Sequence, residues 1–458
     1  MASPGVTAVG ESRSRAAWWL LPLAAGCALG AMAAGNWVLE EPVVPLAVLI
    51  AAPVGIVCWN LRWGSRDLFS LDNVVALAML PLMALGSVAM LWLAPRREVP
   101  EEDLSVALCY ALVALAAFMA GYHSRAAERL GAWLPLLPDQ VDEGRRRVAI
   151  AALVVVASGG WLVFVWSFGG AIALINGLDW ATRHSEGRYA LVCAIIQVKV
   201  AFLIWYAGRL RAGRESRALV LALLLTTVAF VSIVGAKFLA ADLVISALVL
   251  RHYLWSRVRL WQAAAAVVLL AALIFLLLVV RIAGSEVTRL GERRLSLMAT
   301  IYLHRECYGP RMLTESVRHI PADYDFQYGS GLAAAIPVVV PRWLYPDKPE
   351  GTAAKLTRAF FPLRYRVGIR EAPTAITEFY ANFGLPGVLG GMWLLGVLLG
   401  ALYRHHLRSG SQASAILYSI NLVGLLSYVR GDAAGGGAFW MIYAVPALLV
   451  LVFIGRRH

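Results

Sequence analysis

Apolar residues along this chain come in long unbroken blocks joined by short polar segments. They do not alternate with polar positions as half-buried strands would. The blocks lie at 16–35, 43–60, 74–94, 104–122, 148–170, 189–208, 218–235, 238–254, 260–281, 385–403, 413–429 and 438–455. Each approaches the ~20 residues that an α-helix needs to cross a bilayer. The pattern predicts an all-α polytopic membrane protein with about twelve transmembrane helices.

One joint is unlike the rest. Between Arg281 and Gly384 about a hundred residues hold no span, a length at which ordered loops tend to be functional. The chain therefore divides into 1–281 with helices one to nine, 282–384 as a single large loop, and 385–458 with the last three helices. Within the loop, RRLSLMATIYLHRE and RMLTESVRHI carry helix-like apolar spacing and are expected to lie on the membrane surface or pack on the bundle. The stretch VVVPRWLYPDKPE, Val338 to Glu350, cannot span a membrane. Its prolines remove backbone donors, and its charges would be costly in hydrocarbon.

Composition agrees with a bilayer as solvent. Only 15% of the 458 residues are charged and 60% are hydrophobic, with a mean hydropathy of +0.70. The five cysteines, Cys27, Cys58, Cys109, Cys193 and Cys307, form neither a disulfide framework nor a CxxC metal motif. The first block follows Arg13 and Arg15. It is longer than the apolar core of a secretory signal, so it is read as a retained helix, with cleavage the lesser alternative.

Charge orients the spans. Arginine-rich joints fall on one side at Arg13/Arg15, Arg62/Arg66, Arg145–Arg147, Arg209–Arg217, Arg251–Arg259, Arg404/Arg408 and Arg456/Arg457. The positive-inside tendency makes that side cytoplasmic, with both termini, and puts the large loop outside the cytoplasm. The loop itself is basic. Arg342, Lys348, Lys355, Arg358, Arg364, Arg366 and Arg370 stand against Asp347 and Glu350, interleaved with Trp343, Tyr345, Phe360, Phe361 and Tyr365. A tolerated, solvated basic surface is one reading, because long loops translocate regardless of charge. The other is an outward-facing anion site, since a guanidinium fork pairs two oxygens of a phosphate at once. Nucleic acid does not suit this topology; a lipid-linked phosphate or pyrophosphate does.

Three segments carry a resemblance. VVPRWLYPDKP in the loop, APTAITEFYANFGLPGVLGG running into the next helix, and VGAKFLAADLVISALVLRHYLW resemble bacterial oligosaccharide repeat-unit polymerases of the O-antigen polymerase type. The resemblance implies that the chain joins glycan repeat units at the outer face of the cytoplasmic membrane. The growing glycan would leave its undecaprenyl pyrophosphate carrier for a sugar hydroxyl on a new lipid-linked unit. Lys237 stands where the family pattern leads one to expect arginine, which puts a bidentate contact there in doubt. A chain-length regulator and a repeat-unit flippase are partners by the same implication.

That chemistry places fixed cations near a leaving pyrophosphate. The candidates are Arg342, Arg366, Arg370 and Arg430, with Arg281 and Lys237 behind them. Arg430 could instead snorkel and pair with Asp432, Arg281 could be an interfacial anchor, and Lys237 could snorkel or pair with Asp242. Glu378 in TEFYANFG is the candidate general base for the acceptor hydroxyl, with Glu371 and Asp347 as weaker alternatives. Its bland reading is a helix-start carboxylate beside a Thr374 or Thr377 cap. Lys199, near the middle of the sixth span, is either a functional group or a charge paired inside the bundle. No metal or cofactor is expected, since His304 and His319 lack metal-ligand spacing. Pro337, Pro341, Pro346 and Pro349 would stiffen the cationic segment, and Gly384, Gly387, Gly390 and Gly391 would permit close packing. Two other functions compete. One is an O-antigen ligase-like transferase using the same donor; the other is a twelve-span transporter or lipid flippase, against which the absence of an internal repeat argues.

Overall fold

The computed structural model describes residues 41–93, 100–170, 173–174, 189–213, 216–232, 237–283, 308–340 and 344–455. Among these the chain is all-helical, without strands. The first apolar block, 16–35, and Arg342 lie outside the described residues. Every later block coincides with a helix. These are α1 (Val43–Arg62), α2 (Leu71–Trp92), α3 (Glu101–Tyr122), α5 (Glu143–Ser167), α6 (Tyr189–Arg211), α7 (Arg217–Ser232), α8 (Lys237–Leu254), α9 (Leu260–Ala283), α12 (Thr374–Ser409), α13 (Gln412–Arg430) and α14 (Gly436–Ile454). Among the shorter helices are α4 (Arg125–Trp133), α10 (Gly309–His319) and α11 (Thr352–Phe360), with single turns at Ser330–Ala333 and Pro362–Arg366.

Among the described residues eight helices are long and apolar enough to cross a membrane: α1, α2, α3, α5, α6, α12, α13 and α14. Of the other four blocks, the first lies outside the described residues and α9 has described side chains only as far as Ala272, while α7 has only 16 residues and α8 carries Lys237, Asp242 and Arg251. The lipid-type surface is plain on α5, where Val155, Leu162 and Trp166 are exposed on a helix that is apolar all round.

The chain forms two compact units. The first comprises 1–134, 299–405 and 426–438; the second comprises 135–298, 406–425 and 439–458. In the first, α1, α2 and α3 pack together, and α12 lies backbone to backbone against α3 and α4. A Cβ at Gly396 would sit 2.1 Å from the Phe118 carbonyl oxygen, and one at Gly121 would sit 2.0 Å from that of Trp393. Small residues thus set the helix spacing, as in other membrane bundles. Helix α2 contains Pro81 and widens into π turns at Leu80–Ala84 and Ala89–Leu93, a usual response to a missing backbone donor. Helix α10 packs on this widened part and on α3.

The long α12 is not one rod. Its 36 residues would measure about 54 Å, well beyond the ~30 Å of hydrocarbon. At Gly384 the backbone takes φ 65°, ψ −147°, a conformation open essentially to glycine alone, and the helix breaks there. The break frees carbonyl groups, and the preceding loop satisfies them. Gln327 N donates to Ala381 O (2.9 Å), and Tyr328 N donates to Asn382 O (3.1 Å). The turn is completed by Gly329 N donating to the Asn382 side-chain oxygen (2.9 Å). Phe379 folds back beside Gly387 and Gly391, while Gly390 has open space around it. Of the four glycines expected to aid packing, one breaks the helix and two make room for Phe379.

In the second unit α6 lies along α5 and contacts α7 and α8. Its apolar core includes Val200, Leu203, Ala240, Leu243, Ile416, Ile420 and Ala447.

Candidate functional site

Glu378 joins three distant partners in the first unit. It is fully buried. Its carboxylate accepts from Thr352 Oγ1 at 3.0 Å and from the Ala433 amide at 2.9 Å, and the Tyr428 hydroxyl hydrogen-bonds to it as well. Asp432, also buried, repeats the theme. It accepts the Ala353 amide at 2.9 Å and the Gly435 amide at 2.7 Å. Two carboxylates therefore tie together three stretches distant in sequence: the start of α11, the start of α12 and the α13–α14 turn. Space is tight there, because a Cβ at Gly331 would lie 2.1 Å from Thr352 Oγ1 and one at Gly351 would lie 2.7 Å from Asp432 Oδ2.

The helix-start reading of this region is right for Thr374, whose hydroxyl accepts from the Thr377 amide at 3.4 Å. Thr374 itself holds φ 69°, a strained value for a β-branched residue. Glu378, in contrast, spends its oxygens on tertiary partners.

Arg311, Arg358, Arg364 and Arg370 stand on aromatic rings. Tyr365 is the hub. The Arg370 guanidinium lies 3.9 Å from its ring centroid and that of Arg358 lies 4.7 Å from it. Its hydroxyl donates to Glu350 Oε1 at 2.7 Å. Arg358 pairs with Glu350, and Arg364 pairs with Glu371. Arg370 Nη1 donates to the carbonyl oxygens of Tyr365 (3.0 Å) and Ile369 (3.2 Å). A second hub is Tyr308, with Arg364 at 4.9 Å and Arg311 at 5.1 Å from its ring. The Tyr365 hydroxyl, then Glu350, hold Arg358 above the ordinary guanidinium range. Partial burial pushes Lys355 down, opposed by Glu350, while its ammonium donates to Ser330 Oγ at 2.8 Å.

Of the expected cations, Arg366 and Arg370 are exposed on one short segment, and Arg430 is half-buried at the end of α13. Arg281 ends near the close of α9 and Lys237 opens α8, but their side chains lie outside the described ones, as does Arg342 altogether. Arg366 and Arg370 share one short segment, and the described structure gives no contact that joins any two of the expected cations.

Compared with known proteins, no family model, no curated protein and no solved structure matches the chain.

Several groups escape a reading of the sequence. Thr352, Asp432 and Tyr428 carry no local signal of their partnership with Glu378. Asn382 does carry one, standing one helical turn after Glu378 and donating to its carbonyl at 2.8 Å. The metal-free expectation also passes over Asp323-Tyr324-Asp325, whose spacing is that of aspartate pairs that hold metals in soluble glycosyltransferases. Both aspartates are exposed, and Asp323 Oδ2 lies 2.5 Å from His319 Nδ1. Among the described residues no three His, Cys, Asp or Glu side chains are grouped to hold a metal ion.

In the second unit Lys199 is paired. Its ammonium lies 2.5 Å from Asp242 Oδ1 and 4.3 Å from the Tyr443 ring centroid, with Lys199 and Asp242 both buried. Asp242, weighed from the sequence as a partner of Lys237, is engaged by Lys199.

Proposed function

We propose that this chain is a membrane glycosyltransferase. It polymerises polyprenyl-pyrophosphate-linked oligosaccharide repeat units into a surface polysaccharide at the outer face of the bacterial inner membrane. The observation that carries the reading is the pinned cationic segment Pro362–Arg370. Arg370 is held on the Tyr365 ring and backbone, and Arg366 is exposed four residues earlier on the same segment. Cations held before the ligand arrives need no reorganisation as charge develops, which is the condition under which electrostatic stabilisation lowers a barrier.

In this reading the acceptor hydroxyl oxygen attacks the anomeric carbon of the donor glycan. The bond from that carbon to the pyrophosphate oxygen breaks, the hydroxyl proton is lost to a base, and the lipid pyrophosphate leaves. Arg366 and Arg370 face the growing charge, with Arg342, Arg430, Arg281 and Lys237 as further contacts. Glu378, sealed by three donors, serves as a positioning residue that mounts α11 and the segment after it on α12 and the α13–α14 turn.

The test uses purified protein in lipid nanodiscs with lipid-linked repeat units. Extension is expected, and it should persist in EDTA. Loss on chelation with recovery on adding a divalent cation would replace the arginine mechanism with a metal-dependent one. Arg370→Ala and Arg342→Ala should each abolish extension at normal protein abundance, and full activity in either removes that residue from the site.

A further inference from the structure

The segment that carries these arginines sits deeper than a surface loop should. Gly309 opens α10 with its backbone against the Leu82 carbonyl: a Cβ there would lie 2.6 Å from that oxygen and 2.9 Å from Thr374 Cγ2. Leu82 lies midway along α2, one of the helices long and apolar enough to cross a membrane. Tyr308 adjoins that point, and the guanidinium groups of Arg311 and Arg364 lie 5.1 and 4.9 Å from its ring, with Phe361 at 5.7 Å. Helix α10 then rises until Arg318 comes within 3.8 Å of Asp103 at the start of α3. Two guanidiniums and the Glu371 carboxylate are therefore held near the half-height of a spanning helix.

The backbone there is irregular: a single helical turn at Pro362–Arg366, a reversal at Val367 and Gly368, then a run without regular structure to Thr374. Non-helical backbone at membrane depth persists only inside protein or along a water-filled cavity. Burial inside protein does not describe this segment. The Arg364 side chain is 35% exposed, Leu363 is 75% exposed and Val367 58%, and Arg366 and Arg370 are exposed too. Hydrocarbon does not suit three arginines either. Apolar and cationic side chains are exposed together on this short stretch: Leu363 and Val367 stand one helical turn apart, with the Val367 amide donating to the Leu363 carbonyl, Arg366 lies between them in sequence, and Arg370 follows the turn at Gly368.

We infer that Pro362–Arg370 lines a water-filled vestibule reaching the half-height of the first unit, and that this lining takes an amphiphile with a phosphorylated head. The head meets Arg366 and Arg370, and the apolar chain runs along Leu363 and Val367. The ligand half of this inference rests on the glycan-transfer reading; the vestibule half does not.

Single variants Arg366→Cys, Val367→Cys and Val155→Cys are placed in nanodiscs and treated with a charged, membrane-impermeant methanethiosulfonate. Labelling is read at each position by peptide mass spectrometry. Val155, 70% exposed on the outward face of α5, reports hydrocarbon. Positions 366 and 367 should react more than an order of magnitude faster than 155; rates as slow as at 155 overturn the vestibule. Farnesyl pyrophosphate should then slow labelling at both positions while inorganic pyrophosphate does not. Equal protection by the two anions overturns the apolar half of the lining, and no protection by either overturns the ligand assignment while the vestibule stands. A protein protected by farnesyl pyrophosphate that fails to extend lipid-linked glycans would keep the vestibule and its ligand, and overturn the polymerase reading alone.

Discussion

At the scale of single residues, the same side chain can be legible by type and illegible by role. Glu378 announces itself as a carboxylate just ahead of an apolar run, yet its partners Thr352, Tyr428 and Ala433 are far away in sequence. Glu378→Ala would leave two hydroxyls and an amide without their acceptor in a sealed site, and each unsatisfied buried group costs about 1–3 kcal/mol. The variant should therefore melt well below the wild type in detergent. Glu378→Gln, which keeps an acceptor oxygen and the volume, should lose less than half as much. Equal melting temperatures for Ala and wild type would refute the anchoring role. Lys199 makes a parallel case. A buried pair loses about 3–5 kcal/mol when one partner is removed, whereas replacing both by apolar residues of similar size is often harmless. Lys199→Met should cut the yield of folded protein and Lys199→Met/Asp242→Leu should restore it. If the double variant is no better than the single one, the charges do more than neutralise each other.

At the scale of elements, apolar blocks translate into helices with little ambiguity, because a backbone in hydrocarbon must satisfy its own polar groups. Their ends are harder to read. The tenth block starts at 385 by hydropathy, but α12 begins at Thr374, since Thr374 to Phe383 bury a polar face against protein. The break at Gly384 is equally hidden in NFGLPG, because its cause lies in the distant loop segment whose Gln327 and Tyr328 amides take up the freed carbonyls. Gly384→Ala should be destabilised by about 1–3 kcal/mol, the strain of a residue with a Cβ in that conformation. Faster amide exchange over 326–331 should accompany the loss. Gly390→Ala, which meets open space, should be neutral or slightly stabilising, as expected of glycine replaced inside a helix. Similar behaviour of the two variants would show that the break is not held by glycine.

For the molecule as a whole, the class was legible in the residues alone: an all-helical protein with apolar helices long enough for a membrane, a long basic segment that cannot span, and a carboxylate and lysine worth watching. These come from composition and period, which act locally and need no knowledge of neighbours. Only the tertiary structure decided which charges meet. It joined Lys199 to Asp242 and Glu378 to Thr352, locked Arg358 and Arg370 onto Tyr365, and drew α10 down to the level of Leu82. The reason is that a buried charge must find a partner wherever the chain supplies one, and the nearest in space is seldom the nearest in sequence. Hydropathy measures how much a segment avoids water, but it carries no coordinate for how deep a polar segment is drawn among its neighbours.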